Sequence, residues 1–580
     1  MSDKLYIKYP HIDISGEIYS DWKLIFEQIS SKISLKNLSR FVLAVECYQG
    51  VDYNELKERF KQLPHSLFVD MEEIFKPEGE IYKLTYPDVT DDAVFGYITR
   101  LTIRDLLDTE KFCEKQNLIE QTQGLVIVYG SGASLIATDR NLLIYADMSR
   151  WEIQLRMKQH LVNNLGINNK DVCFQEQYKR GFFVDWRICD RLKKDIFPGI
   201  DYWLDTNKSQ YPKLISQKTF VSCMDAAVNQ PFRVVPFFDP GPWGGQWMKQ
   251  NFELDAIAPN YAWCFDCVPE ENSLLFNISD IIFEMPSINL VFFRSRQLLG
   301  EPVEARFGQE FPIRFDFLDT MQGGNLSLQV HPNTQYIRDN FGMSYTQDES
   351  YYILDAAENA VVYLGLKRDI NPLEMIDELD KAQQGEQIFD VDKYVNAFTA
   401  KKHDHFLIPA GTVHCSGKNS LVLEISATPF IFTFKLWDWA RLGLDNKPRP
   451  INIKHGSKVI EWNRDEDYVR KQLINRIETV GKGENWCEER TGLHENEFIE
   501  TRRHWFSVTV YHETGNSVNV LNLVEGDEVI VESPDNGFAP FVVHYAETFI
   551  VPASVGKYTI RPYGKSAGKQ CATIKAYVRF

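Results

Sequence analysis

The sequence lacks any tract rich in proline, glycine or serine, and it has no repeat of solenoid period. These absences argue against a disordered chain and against a repeat architecture. No stretch approaches the roughly 20 apolar residues that a membrane-spanning helix needs, and the first ten residues lack the apolar core of a signal peptide. We therefore expect a soluble, cytoplasmic protein with no membrane partner.

Cysteines are few and scattered, and the one close pair is Cys264 and Cys267. A single CxxC without a second pair or nearby histidines is weak evidence for a metal or redox site, so we expect buried, reduced thiols. Positive charge is also scarce, because 63 Lys and Arg stand against 81 Asp and Glu, for a formal net charge of −18. This balance argues against a nucleic-acid partner. Because the chain as a whole is negative, a phosphate site would need its own local group of basic side chains.

At 580 residues, the chain is too long for one compact core. Its pattern predicts a multidomain α/β plus mainly β protein with four regions: an α/β region over 1–120, a second α/β region over 121–220, a strand-rich region over 221–450 and a second strand-rich region over 451–580. The last two predict two small β-barrels, the first of them interrupted by a helical insert over about 372–400.

A glycine-containing turn follows a buried-type strand at Leu125–Tyr129, and this is where a phosphate-binding loop would lie. A working loop reads GxxxxGK[ST], with the lysine on the phosphates. The segment 130–136 has no lysine. With Asn141–Asp147 and Tyr178–Arg187, it resembles a P-loop nucleoside kinase in outline only. We therefore expect a degenerate kinase-like module with a structural or regulatory role.

Four side chains in the strand-rich region over 221–450 predict a metal site. Gln329 and His331 are two apart in a β-favouring segment, so a strand would place both on one face, and Pro332 predicts that the strand ends just after the histidine. Glu349 precedes another strand-like segment, and a glycine turn precedes His414. Nitrogen and oxygen donors without thiolate suit Zn²⁺, and also manganese, iron or cobalt.

These motifs resemble those of type I phosphomannose isomerases, zinc enzymes of the cupin superfamily that interconvert mannose 6-phosphate and fructose 6-phosphate. The matching segments follow the family's order and lie between about 231 and 450: Trp243-Gly-Gly245, Leu326–Pro332, Glu349 with Tyr352–Ala356, Gly365-Leu-Lys367, Ile408–His414 and Trp437–Arg441. The resemblance implies zinc bound by Gln329, His331, Glu349 and His414. The last 80 residues resemble the family loosely and predict a second cupin-like domain without metal ligands.

The sequence departs from the family pattern around the expected metal. A lysine usually stands shortly before the Gln-x-His strand, where this chain reads Asp316-Phe-Leu-Asp319. A second lysine, two residues before the glutamate, is replaced by Gln347. The family's aspartate and arginine before the Tyr-Asp-Trp element align with Ile431 and Lys435. Those groups bind phosphate or move protons in the family, so their replacement predicts altered chemistry around a retained metal site.

Isomerisation of an aldose to a ketose requires a base within reach of the transferred proton. The candidates are Lys435, Arg441, His403 and His405, with Lys435 and Arg441 preferred and Arg441 best suited to a phosphate. The leading hypothesis is a metal-dependent sugar isomerase acting on a sugar phosphate or a related sugar. The alternatives are a non-catalytic sugar or sugar-phosphate binding protein and another cupin chemistry such as epimerisation or oxygenation. The sequence leaves the oligomeric state open.

Overall fold

A computed structural model describes residues 5–427, 432–442, 449, 451–492, 494, 495 and 497–580. The chain divides into two compact units. The α/β unit contains residues 11–226 and 270–293, and the β-rich unit contains residues 1–10, 227–269 and 294–580. Within the part of the chain that is described, no helix is both long enough and apolar enough to cross a membrane.

The α/β unit is built on a seven-stranded sheet. In spatial order its strands are Ile18–Tyr19, Lys213–Ser216, Tyr202–Asp205, Leu142–Asp147, Arg40–Cys47, Gly124–Gly130 and Leu67–Asp70. The last five are parallel. Arg40–Cys47, the middle strand of these five, is buried in all but its first residue, as expected for a parallel strand covered on both faces. Strands on both sides of residue 120 therefore share one sheet.

The helices of this unit connect the strands. They are Trp22–Lys36, Tyr53–Phe60, Glu78–Val89, Ile103–Leu106, Thr109–Gln121, Ala133–Ile136, Arg150–Lys158, Phe174–Arg180, Trp186–Ile196, Gln217–Val228 and Ile288–Phe293, with shorter turns at Met71–Ile74, Gly181–Asp185 and Phe197–Gly199. A separate three-stranded sheet joins His11–Ile14, Ser273–Ile278 and Ile281–Pro286.

The glycine turn after Gly124–Gly130 is filled by a side chain of the protein itself. The backbone N–H groups of Gly132 and Ser134 donate to the two carboxylate oxygens of Glu46, at 2.6 and 2.8 Å. Burial raises the pKa of Glu46 to about 7. Amides of such a turn are the groups that would bind a phosphate, so an internal carboxyl group already uses this anion-binding position.

The first pair of antiparallel sheets in the β-rich unit carries the predicted metal ligands, and we call it the first barrel. Its six-stranded sheet runs His405–Ile408, Glu349–Ala356, Ser420–Ser426, Arg314–Asp319, Trp263–Cys267 and Phe237–Asp239. Its five-stranded sheet runs Val395–Thr399, Val361–Leu366, His414–Ser416, Leu328–Val330 and Phe434–Trp437. Cys264 and Cys267 are both buried in the first of these sheets.

The second pair of sheets, which we call the second barrel, follows in the chain. Six strands form one sheet: Glu478–Gly483, Trp486–Gly492, Ile499–Phe506, Cys571–Val578, Asn519–Glu525 and Thr548–Val551. Four strands form the other: Val510–Glu513, Lys557–Pro562, Glu528–Glu532 and Phe541–His544. An apolar cluster that includes Phe506, Val510, Leu523 and Ile560 packs between them.

The helices of the β-rich unit are short. They are Trp247–Asn251, Ser295–Leu299, Glu301–Phe307, Thr334–Phe341, Pro372–Gln383, Val391–Tyr394, Ile453–Gly456 and Glu466–Gln472, with single turns at Ala553–Val555 and Gly564–Ser566. The predicted helical insert over 372–400 is wrong at its end, because Val395–Thr399 is a strand paired with Val361–Leu366. Its residues alternate between buried and exposed near the end of the strand, the pattern of a half-buried strand.

Candidate metal centre

Strand pairing brings the four predicted ligands together from distant parts of the chain. Gln329 lies directly opposite His414 in the five-stranded sheet. Glu349 begins a strand of the six-stranded sheet. His331 follows the strand Leu328–Val330, which ends one residue earlier than predicted. The four side chains therefore meet between the two sheets of the first barrel.

Three of these side chains form a tight, buried cluster. Glu349 Oε1 lies 2.8 Å from His414 Nε2, and Glu349 Oε2 lies 3.1 Å from His331 Nε2. Gln329 Nε2 lies 3.2 Å from His414 Nε2. His331, Glu349 and His414 are each 0 % exposed, and one ligand atom from each lies within 4.8 Å of the other two. This separation is compatible with three bonds of about 2.0–2.2 Å to one cation.

Backbone carbonyls orient both imidazole rings. His331 Nδ1 lies 3.0 Å from the carbonyl oxygen of Phe432, and His414 Nδ1 lies 2.9 Å from that of Thr412. A carbonyl can only accept, so Nδ1 carries a proton in each ring, and Nε2 is the nitrogen that each ring turns towards Glu349. This is the arrangement that metal-binding histidines use.

The donor atoms converge without pairing well with one another. His331 Nε2 and Glu349 Oε1 are buried and make no well-aligned hydrogen bond despite their short separations. Burial opposes ionisation of Glu349, but the facing His331 and His414 hold the pKa of its carboxyl well below the usual range. A buried carboxylate beside two correctly oriented imidazole nitrogens fits a divalent cation, and the residues present therefore suit a metal.

The wall behind Glu349 is unusually acidic. Asp316 lies opposite Glu424, and Arg314 and Glu349 both lie opposite Ser426 in the same sheet. Arg314 Nε donates to Asp316 at 3.0 Å, and its Nη2 pairs with Glu424. Burial raises the pKa of Asp316 to about 6 and that of Glu424 well above its usual range. Arg314 pairs with Asp316 and Glu424 and not with Glu349, so a cation beside Glu349 would offset the negative charge of its carboxylate.

Gln347 occupies the place where the family resemblance expects a lysine. Its Nε2 donates to Glu349 Oε2 at 3.0 Å, and the side chain is 2 % exposed. An amide fixes the carboxylate but carries no titratable proton. Gln347 is therefore suited to orient Glu349 and unsuited to move a proton.

A positively charged group lies next to the predicted ligands. Lys435 is directly opposite Gln329 in the sheet, so both side chains leave from the same face. Burial, followed by the positive charge of Arg449, lowers the pKa of Lys435 to about 8. Arg441 Nε donates to Asp438 at 3.1 Å and its Nη1 donates to the carbonyl of Asn325 at 2.6 Å.

Asp438 also pairs with Arg449, whose Nη1 is 2.8 Å away. Two arginines and Lys435 therefore surround a single carboxylate, which leaves a local excess of positive charge in a strongly acidic chain. Sequence reasoning had no signal for Arg449 because it lies outside the motifs that carry the resemblance. Ile431, aligned with a family aspartate, lies outside the described residues.

The other two proposed bases are on the wrong side of the sheet. Tyr352 is three residues after Glu349 in the same strand, so the two side chains leave from opposite faces of the sheet. His405 is paired with Tyr352, and its side chain therefore also leaves from the face away from the cluster. His403 is held by Tyr352 Oη at 2.8 Å and by Glu525 at 3.1 Å. Neither histidine is placed to act on a substrate beside Glu349.

Burial of His405 predicts a measurable pH dependence of stability. Burial lowers the pKa of its imidazole from 6.5 to about 3, so in this pH interval the unfolded chain binds a proton that the folded chain does not. The stabilising contribution is complete above 6.5 and is lost as pH falls toward 3. We expect the melting temperature of His405→Phe to fall less than that of the wild type between neutral pH and about pH 4, as measured by scanning calorimetry. Equal pH profiles would contradict the assignment.

Gly411 makes the turn that delivers His414. Its φ is +90°, and a Cβ at this position would lie 2.5 Å from Glu461 Cγ and 3.0 Å from the carbonyl oxygen of Val459. Its N–H donates to the carbonyl of His331 at 2.9 Å, so the turn ties two predicted ligands together. We expect Gly411→Ala to cost about 1–3 kcal/mol of stability, as measured by calorimetry. If the predicted ligands hold a metal, the variant should also bind added zinc more weakly in a metal titration.

Gly385 provides the matched control for this substitution. Its φ is +79°, but nothing lies within 4 Å of an added Cβ. Gly385→Ala therefore carries backbone strain without the clash, and we expect it to leave zinc affinity unchanged. Equal zinc affinities for Gly411→Ala and the wild type would show that this turn does not position the ligands.

Known proteins resemble separate parts of the chain. Residues 21–229 match a family model described as Domain of unknown function (DUF8485). That description assigns no activity, so the kinase-like interpretation of 121–220 stays a prediction.

Mannose-6-phosphate isomerases resemble a larger share of the chain. Mannose-6-phosphate isomerase ManA of Bacillus subtilis (strain 168) is 26% identical over 237 residues, which cover 40% of this chain and 68% of that protein. The probable mannose-6-phosphate isomerase GmuF of the same organism is 27% identical over 342 residues, covering 57% of this chain and 96% of that protein. The crystal structure of a mannose 6-phosphate isomerase from Bacillus subtilis has 19% identity and a TM-score of 0.48, and the match covers 60% of this chain and 99% of that one. The part of the chain that the curated relatives cover is therefore similar in sequence to mannose-6-phosphate isomerases.

Proposed function

We propose that this protein is a metal-dependent aldose–ketose isomerase of the mannose-6-phosphate isomerase type, with two cupin domains. It would interconvert mannose 6-phosphate and fructose 6-phosphate or a closely related sugar phosphate. The names of the curated relatives support the reaction class. The observation that carries the proposal is the buried cluster of His331, Glu349 and His414, whose donor atoms converge within 4.8 Å.

His331, Glu349, His414 and Gln329 would hold the metal, with zinc as the preferred ion for two imidazoles and oxygen donors. The bound ion would polarise the sugar's carbonyl and hydroxyl oxygens, on which negative charge grows as the proton moves between adjacent carbons. Neighbouring side chains would fix the positions of the ligands. Gln347 orients Glu349, and Arg314 holds Asp316 and Glu424 in place beside it.

Lys435 is the best-placed group to move the proton. It leaves the sheet on the same face as Gln329, and a pKa lowered to about 8 by burial keeps a useful fraction of its amine neutral near physiological pH. We propose that Lys435 Nζ takes the proton from one sugar carbon and returns it to the neighbouring one.

Arg441 and Arg449 are suited to the phosphate of the substrate. Both contact Asp438, so the two guanidinium groups carry more positive charge than one carboxylate balances. Guanidinium groups bind phosphate oxygens bidentately. This pair provides the local phosphate site that the chain's overall negative charge requires.

One observation favours a second candidate function, a non-catalytic sugar or sugar-phosphate binding protein that retains the metal. At two places where the resemblance expects lysines, this chain has Asp316, bound to Arg314, and Gln347, bound to Glu349. Neither place offers an ammonium group. This candidate predicts thermal stabilisation by the ligand without turnover.

A coupled assay over phosphorylated and free aldoses, with and without chelator, separates the two candidates. The isomerase proposal predicts that fructose 6-phosphate forms from mannose 6-phosphate and that a chelator abolishes it. Thermal stabilisation by mannose 6-phosphate with no turnover of any aldose in the panel would reject the isomerase and favour the binding protein.

For residues 121–220 we propose a degenerate kinase-like module with a structural or regulatory role. Support comes from the glycine turn, where Glu46 accepts the backbone hydrogen bonds that a phosphate would need. The segment also lacks the lysine of a working loop. Nucleotide binding at this turn would contradict the proposal, and isothermal titration with ATP and Mg²⁺ tests it.

A further inference from the structure

Three side chains of the α/β unit form a closed, hydrogen-bonded cluster that has no part in the proposed isomerase. Lys193 Nζ donates to the two carboxylate oxygens of Asp147 at 2.8 and 3.0 Å and to Asn289 Oδ1 at 3.0 Å. Asn289 Nδ2 donates to Asp147 Oδ2 at 2.8 Å. An amine, a carboxyl group and a carboxamide are therefore in mutual contact.

The three side chains come from separate elements of the unit. Asp147 ends the strand Leu142–Asp147, Lys193 lies in the helix Trp186–Ile196, and Asn289 lies in the helix Ile288–Phe293. Lys193 and Asn289 are 96 positions apart in the sequence. The helix of Asn289 belongs to segment 270–293, which is preceded and followed in the chain by parts of the β-rich unit. A bond between Lys193 and Asn289 would fix this segment to the α/β unit.

Water is excluded from the cluster. Lys193 is 1% exposed, Asp147 is 4% exposed and Asn289 is 0% exposed. The rings of Tyr48 and Tyr145 lie over Lys193 Nζ, with their centroids 4.4 and 5.4 Å away. Ionised groups are costly to keep out of water. A proton can therefore pass from the amine to the carboxylate along their 2.8 Å hydrogen bond, which gives a neutral, nucleophilic amine.

A neutral amine held against a carboxamide can form a new amide bond when a neighbouring carboxyl group moves the protons. Lys193 first gives a proton to Asp147. The lone pair of Nζ then forms a bond to Asn289 Cγ, and the electrons of the C=O double bond move onto Oδ1. Asp147 gives its proton to Nδ2 and takes the second proton from Nζ. The carbonyl re-forms, the bond between Cγ and Nδ2 breaks, and ammonia leaves.

The carboxyl group is placed to serve both nitrogens of this reaction. Asp147 Oδ2 accepts from Asn289 Nδ2, which leaves as ammonia, and both of its oxygens accept from Lys193 Nζ, which attacks. The amine and the carboxamide give an amide and ammonia, so the step needs no oxidant, cofactor or other reactant. Because the groups are held together by the fold, the reaction is intramolecular.

A second lysine, carboxylate and carboxamide in the same unit have a different geometry. Lys213 Nζ donates to Asp205 Oδ2 at 3.0 Å, whereas Asn207 Nδ2 donates to Asp205 Oδ1 at 2.9 Å. Asn207 Oδ1 accepts from the N–H and the hydroxyl group of Ser149 at 3.0 and 3.1 Å. The amine and the carboxamide therefore use different oxygens of the carboxylate, and Lys213 provides the matched control.

We propose that Lys193 Nζ and Asn289 Cγ form an intramolecular isopeptide bond, with Asp147 as the group that carries the protons. The bond fixes segment 270–293 to the helix Trp186–Ile196. It depends neither on the proposed isomerase activity nor on a metal.

Intact mass spectrometry of the denatured full chain tests this proposal. We expect the wild type to weigh about 17 Da less than its sequence, the mass of the ammonia released in this modification. Tandem mass spectrometry of a digest should find a branched peptide that joins Lys193 to Asn289.

Variants show which groups react. Lys193→Arg keeps a positive charge beside Asp147, but a guanidinium group stays protonated and is not a nucleophile, so this variant should have the full mass of its sequence. Lys213→Arg should still lose ammonia. Asn289→Asp should lose water instead, about 18 Da, because the leaving group is changed.

A wild type with the full mass of its sequence would overturn the proposal, and this result does not depend on whether any variant folds. Loss of ammonia that persists in Lys193→Arg would also overturn it. So would loss of ammonia from the wild type without a branched peptide between Lys193 and Asn289.

Discussion

From the proposed function we expect His331→Ala to lose bound zinc and isomerase activity together. The substitution removes one of two imidazoles from a fully buried cluster and leaves Glu349 facing a single histidine. A bound divalent ion supplies several kcal/mol of charge stabilisation, and roughly 1.4 kcal/mol corresponds to a factor of ten in rate, so kcat/KM should fall by about 1,000-fold or more. Metal analysis by inductively coupled plasma mass spectrometry and the coupled assay measure the two effects.

His403→Ala is the matched control, because His403 belongs to the same barrel but contacts Tyr352 and Glu525. We expect it to retain zinc and activity. If His331→Ala kept a full complement of zinc while His403→Ala lost it, the metal would lie elsewhere. If both variants kept zinc and turnover, the candidate metal centre would have no role in the reaction.

Lys435→Arg is expected to reduce kcat/KM by about 100-fold or more, the usual contribution of a positioned acid or base. Arginine keeps the positive charge but does not release a proton near neutral pH. Activity of the wild type should rise with pH as the amine becomes neutral around its pKa of about 8. The remaining activity of Lys435→Arg should not rise with pH in this range. Profiles of kcat/KM against pH for the wild type and the variant measure the difference.

Lys458→Arg, at an exposed position in the same region of the chain, should leave kcat/KM unchanged. Near-normal activity in Lys435→Arg, together with loss in Lys435→Met, would contradict the proton-transfer role. It would instead show that position 435 contributes charge, for example to a phosphate.

The convergence of the predicted ligands could be predicted because its signals are local. Gln329 and His331 are two apart in one β segment, and the glycine before His414 requires the positive φ that the structure shows at Gly411. Side-chain alternation in a strand and the conformational freedom of glycine act over a few residues. Such signals predict which face a side chain takes even when the exact strand end, at Val330 here, differs by a residue.

The surroundings of the ligands were not predictable, because they depend on which strands pair. Asp316 meets Glu424 across a strand pair that joins segments more than 100 residues apart, and Arg314 lies in this pair. Likewise, His405 is close to His414 in sequence, yet its pairing with Tyr352 turns it to the other face. A one-residue change of register would reverse that result, so composition and spacing cannot decide it.

The second barrel shows the same limit. His504 and His512 are eight residues apart on strands of different sheets, and neither belongs to a recognisable ligand motif. Their ring centroids are 5.0 Å apart because the two sheets pack face to face around the apolar cluster. The loose family resemblance of the last 80 residues predicted a barrel without metal ligands and gave no indication of a polar interior.

Zinc titration of chelator-stripped protein, followed by the rate at which mannose 6-phosphate becomes fructose 6-phosphate, is the decisive test of the proposed metal-dependent isomerase. We expect no measurable rate without metal and a linear rise that ends at one zinc per chain. A chain that binds one zinc tightly and still converts no mannose 6-phosphate, or a rate independent of zinc, would contradict it.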